Sequence, residues 1–120
     1  MINLIKIKSQ EKKQEENNIY ENLTQFYQSF FSNLYNECNI KKYRQIRDAI
    51  GLVMRKFESN DHPLAYTSKL VMYIETRVTI YRLHLTNEQQ KLLSALGEES
   101  KHMNLNFVYT SPIDDLNQFN

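Results

Sequence analysis

The sequence predicts an all-α fold: an antiparallel four-helix bundle with an ordered, partly apolar C-terminal tail. Three observations carry this. Only 2 Gly and 2 Pro occur in 120 residues, too little turn chemistry for sandwiches, barrels or loop-built active sites. Apolar residues recur at steps of three and four along four successive stretches, the spacing of one helix face. The links between those stretches are a few residues each, which forces consecutive helices to run antiparallel. A chain of this length with 41% hydrophobic and 24% charged residues fits one globular domain. Three parts are expected: a flexible or partly helical arm over 1–18, the bundle over 19–102, and a tail over 103–120 packed on it.

Helix 1 is expected from Asn18 to Cys38. Ile19, Leu23, Phe26, Phe30, Leu34 and Cys38 form its row, and Tyr20, Tyr27, Phe31 and Tyr35 widen it. A stripe that broad suits more than one neighbour. Asn39 can take the left-handed conformation that closes a helix. Helix 2 is expected from Lys41 to Glu58, with Tyr43, Ile46, Ile50, Val53 and Phe57 spaced as an a/d seam. Gly51 lies inside it, where it costs up to about 1 kcal/mol relative to Ala. Close approach of a neighbouring helix would explain it. Ser59-Asn60-Asp61-His62-Pro63 is the clearest break. Asn60 suits a helix end, Asp61 or His62 can cap the next helix, and Pro63 suits its first turn.

Helix 3 is expected from Pro63 to Leu83. Leu70, Ile74, Val78 and Tyr81 form its row, Tyr66 and Tyr73 flank it, and Arg77 and Arg82 should reach solvent or a partner. Helix 4 is expected from Thr86 to about His102, interrupted by Gly97. The tail has no helical period, yet it holds Leu105, Phe107, Val108, Tyr109, Pro112, Ile113, Leu116 and Phe119. Apolar groups in that number should fold back on the bundle or meet a partner.

Catalytic and metal chemistry find no foothold, so neither an enzyme nor a cofactor is expected. His62, His84 and His102 form no i, i+4 metal pair. The single cysteine, Cys38, has no internal partner and reads as a small buried hydrophobe; its being alone fits a reducing compartment or indifference to redox. No glycine-rich phosphate loop exists. Asp114-Asp115 reads as a solvated turn. The N-terminal MINLIKIK is too short and interrupted for a signal peptide, and no run approaches the roughly 18 apolar residues of a membrane span. A cytoplasmic protein is expected.

Net charge is +1, but the charge is uneven. Residues 41–82 hold nine Lys/Arg against four Asp/Glu; residues 83–120 hold two against five. The basic middle, with Tyr43 or Tyr73 interleaved, could bind phosphates. The alternative is a solvated exterior with intrahelical ion pairs such as Arg44–Asp48. An anionic membrane face and nucleic acid are the two phosphate sources to weigh, and the small net charge speaks against nucleic acid.

The stretch Leu83 to Leu96, LHLTNEQQKLLSAL, is the most telling. Thr86 and Gln89 have the spacing of a capping box, in which each side chain bonds the other residue's backbone N–H. Glu88 sits in the first turn, where negative charge suits the helix dipole, and Leu92, Leu93 and Leu96 supply the apolar stripe. With the chain's length, its helix layout and the preceding YTSKLVMYIETRVTIYRL, this stretch resembles the immunity proteins that protect producers of pediocin-like (class IIa) bacteriocins. The resemblance covers most of residues 19–120.

That resemblance implies a cytosolic four-helix bundle that shields the bacteriocin producer. Bacteriocins of this type use the membrane components of the mannose phosphotransferase permease as receptor and open a pore. The immunity protein acts from inside, associates with the bacteriocin-bound receptor and blocks the pore. The family's C-terminal half is linked to which bacteriocin is countered. Carried over, the specificity surface is expected at Arg77, Arg82, Lys91, Lys101, Asn104, Phe107, Tyr109 and Pro112. The protein is expected to act as a monomer, in part at the inner face of the membrane, without nucleic acid. The competing reading is a small helical nucleic-acid-binding or regulatory module that uses the basic surface of helices 2 and 3.

Overall fold

The computed structural model describes residues 4–32, 34–35, 39–100 and 115–120. Four helices follow one another: α1 (Leu4–Ser29), α2 (Ile40–Glu58), α3 (Pro63–Tyr81) and α4 (Asn87–Ser100). A short 3-10 turn, Leu116–Phe119, comes near the end. There is no strand among the described residues.

Side-chain contacts fix the directions of the helices. Phe30, just past α1, packs tilted against Tyr43 in the first turns of α2, with ring centroids 6.3 Å apart. Tyr20, further back, donates to Glu58 at the end of α2. α1 and α2 are therefore antiparallel. The Lys56 ammonium lies 4.6 Å from the ring centre of Tyr66 at the start of α3, while Tyr43 reaches His84 beyond its end. Gln89 in the first turn of α4 donates to Ser29, and Asn22 donates to Glu99. Each helix thus packs antiparallel on its neighbour, and α4 closes the ring on α1.

The core follows the predicted stripes where the helices are regular. Ile19, Leu23, Phe26 and Phe30 from the first stripe are buried, as are Ile46, Ile50 and Val53 from the second, Leu70 and Ile74 from the third, and Leu96 from the fourth. Burying each such side chain contributes about 1.5–3 kcal/mol. Tyr66 and Tyr73 are buried rather than flanking. At one end the core is aromatic: Phe30, Tyr35 and Tyr43 meet one another at 5.0–6.3 Å between centroids.

The largest departure from expectation is α1. It begins at Leu4, not Asn18, and ends at Ser29, not Cys38. Its early part is rich in Lys, Glu and Gln, good helix formers that leave no apolar stripe to read. After Ser29 the chain turns through Phe30 N–H to Tyr27 O and Phe31 N–H to Gln28 O. Leu34 consequently leaves the core and is exposed; Cys38 lies outside the described residues. Asn39 is not left-handed (φ −118°); its side-chain amide donates to Leu34 O at 2.8 Å.

The break between α2 and α3 uses left-handed Asn60 (φ 53°) and His62 (φ 46°). His62 occupies the N-cap position without a side-chain cap, and Pro63 opens the helix. An added Cβ at Gly51 would lie 3.2 Å from the Tyr27 ring, so the close neighbour there is a side chain of α1. At Gly97 the nearest atom is a Val71 methyl at 3.6 Å, an ordinary contact. At the chain's end Asp115 caps the 3-10 turn by accepting from Asn117 N–H at 2.9 Å. Phe119 is buried edge-on against Tyr73, centroids 5.4 Å apart.

Candidate interaction surface

The Thr86–Gln89 pair makes both bonds of a capping box. Gln89 N–H donates to Thr86 Oγ1 at 3.1 Å, and Thr86 N–H donates to Gln89 Oε1 at 2.9 Å. The same Gln89 is fully buried and reaches further. Its Nε2 donates to Ser29 Oγ at 2.9 Å, and the Tyr35 hydroxyl lies within hydrogen-bonding distance of both amide atoms. One side chain therefore caps α4 and ties it to the end of α1 and to the α1–α2 connection. A buried amide is tolerated because its groups are satisfied. Beside it, the Tyr43 hydroxyl donates to His84 O at 3.3 Å and accepts from His84 N–H at 3.1 Å. These bonds fasten the α1–α2 and α3–α4 connections side by side at one pole of the bundle.

The expected surface residues divide into three groups. Arg82 and Lys91 are exposed at this pole. Arg82 is the left-handed cap of α3 (φ 52°), and Lys91 lies in the second turn of α4. Arg77 is a correction: it does not reach solvent but is 91% buried. Its i±4 neighbours explain why. The guanidinium lies 4.4 Å from the Tyr81 ring centre and 5.6 Å from that of Tyr73, and a flat, weakly hydrated cation stacks well on aromatic faces. Its Nε–H has no hydrogen-bond acceptor. Lys101, Asn104, Phe107, Tyr109 and Pro112 lie outside the described residues.

The continuous basic stripe of helices 2 and 3 is not formed. Lys69 and Arg77 are buried, and burial holds the Lys69 ammonium below its usual range. Arg47 pairs with Asp48 at 3.3 Å, the partner expected for Arg44. Lys56 pairs with Asp61 at 3.1 Å; that carboxyl is pushed below its usual range by hydrogen bonds from His62 and Lys56. Tyr43 and Tyr73, the aromatics that would have interleaved with the cations, are in the core.

What the sequence concealed is apolar exposure. Phe31, Leu34, Ile80 and Tyr81 are each more than half exposed. Helical spacing placed Phe31 and Leu34 on a buried stripe, and only the early end of α1 releases them. No group of three His, Cys, Asp or Glu that could hold a metal occurs among the described residues. No described helix is long and apolar enough to cross a membrane.

No curated protein and no solved structure matches the chain. Among protein families, residues 14–101 match the bacteriocin immunity protein family. That span takes in the second half of α1 and all of α2, α3 and α4, more than half of the chain. The capping box, the closed ring of four antiparallel helices and this match agree: the chain belongs to the bacteriocin immunity protein family.

Proposed function

We propose that the protein protects a bacteriocin-producing cell from a pediocin-like bacteriocin, acting without enzymatic chemistry from the cytosolic side. It associates with the membrane components of the mannose phosphotransferase permease once bacteriocin is bound to them, and it blocks the pore. It works as a monomer, in part at the inner face of the membrane, and without nucleic acid. The observation that carries this reading is the family match over residues 14–101. A bundle pinned by the Gln89 network offers a pre-organised surface, which lowers the ordering cost of binding.

The specificity surface comprises Arg82, Lys91, Lys101, Asn104, Phe107, Tyr109 and Pro112, without the buried Arg77. Arginine and aromatic side chains are good interface anchors. Exchanging residues 103–120 for the tail of another family member tests it. Retained helical circular dichroism with a changed range of bacteriocins countered is the expected result. A folded chimera with an unchanged range would move specificity out of the tail.

A further inference from the structure

Four of the five large hydrophobic residues exposed among the described residues fall at one pole. Phe31 and Leu34 belong to the α1–α2 connection, and Ile80 and Tyr81 to the last turn of α3. The Tyr43–His84 and Tyr35–Gln89 bonds hold these two connections against each other. The fifth, Met72, sits midway along α3 and is only 37% exposed.

The same pole carries exposed cations. Lys41, Lys42 and Arg44 project from the first turns of α2, and Arg82 follows α3. Arg47, half-buried and paired with Asp48, lies 5.2 Å from the ring centre of Phe31. On the acidic side, Asp48 is engaged by Arg47, while Glu88, opening α4, and Glu75, beside the α3–α4 connection, are exposed.

We infer that this pole docks the protein on a bilayer bearing anionic lipid headgroups. Lys41, Lys42, Arg44 and Arg82 meet the phosphates, while Phe31, Leu34 and Ile80 enter the headgroup–acyl boundary. Charge complementarity selects this occupant. An isolated apolar patch of this size binds a membrane weakly, and a basic patch adds the second signal that stable attachment requires. The inference rests on the reading that the protein works at the inner face of the membrane, and it assigns that contact to a defined surface.

The test uses the full chain and vesicles alone, with neither permease nor bacteriocin present, so it stands apart from protection of cells. Phosphatidylglycerol–phosphatidylcholine vesicles should co-sediment the protein, phosphatidylcholine vesicles should not, and added salt should release it. Reversing Lys41 and Lys42 to Glu together should lower partitioning at least about ten-fold. The chain has no Trp, so Phe31→Trp gives a probe at the pole and Met72→Trp one at mid-bundle. Emission from the first should shift to the blue on anionic vesicles and emission from the second should not. Absence of binding to anionic vesicles at low salt, equal binding to both vesicle types, or equal shifts at the two positions would overturn the inference.

Discussion

Replacing Gln89 by Ala removes, in one step, the acceptor for Thr86 N–H and the donor to Ser29, and it takes a partner from the Tyr35 hydroxyl. These groups sit in or beside the core, where an unmet hydrogen bond is costly. Urea unfolding should show a loss of about 2–3 kcal/mol. A loss under about 0.5 kcal/mol would mean that the network is ornamental. Arg77 makes the opposite case. Its guanidinium gains from two tyrosine rings but buries an Nε–H without an acceptor. Arg77→Met exchanges the cation for a thioether that also packs on aromatic rings. It should leave stability within about 1 kcal/mol of the parent. A large loss of stability would show that the stacked guanidinium itself holds the fold. The capping box was legible at this scale, because three-residue spacing encodes it locally. The further reach of Gln89 to Ser29 and Tyr35 was not, since it joins residues 54–60 positions apart.

Between elements, the α1–α4 contact carries a pH-sensitive group. Burial raises the Glu99 carboxyl above its ordinary 4.5, Glu15 adds repulsion, and the Asn22 amide opposes both. A carboxyl whose folded-state pKa is raised binds its proton more tightly in the folded protein. Its contribution is therefore fully present below pH 4.5 and is lost as pH rises through the raised value. Glu99→Gln keeps an acceptor for Asn22 and removes that loss. The variant should be the more stable at pH 7, with the difference vanishing in acid; chemical unfolding at the two pH values checks this. The bounds of α2 and α3 and the start of α4 were legible to within a few residues, because Pro63, Asn60 and the Thr86–Gln89 pair punctuate the chain. α1 was not. Its first half is helical through propensity alone, and its end at Ser29 carries neither Gly nor Pro. Packing of Phe30 against Tyr35 and Tyr43 accompanies the turn there, and such tertiary contacts leave no mark in a single stretch of sequence.

Across the whole molecule, the antiparallel ring of helices and the family could both be read from the chain, the first from short links and the second from Leu83–Leu96. The polarity of the bundle could not. Phe31, Leu34, Ile80 and Tyr81 become one apolar pole only after the α1–α2 and α3–α4 connections, about 50 residues apart, have been brought together. The charge pattern likewise changed on folding, because Lys69, Arg77 and the ion-paired Arg47 and Lys56 drop out of the basic surface. Of the cations that stay exposed, Lys41, Lys42, Arg44 and Arg82 lie at the pole with the apolar residues, and Arg55 lies near the far end of α2. The most direct measurement is protection itself: expression of the chain in a strain sensitive to pediocin-like bacteriocins, followed by a killing assay with a panel of them. Resistance confined to one or a few members of the panel is the predicted result. Unchanged sensitivity to the whole panel, with folded protein present in the cells, would contradict the proposed function.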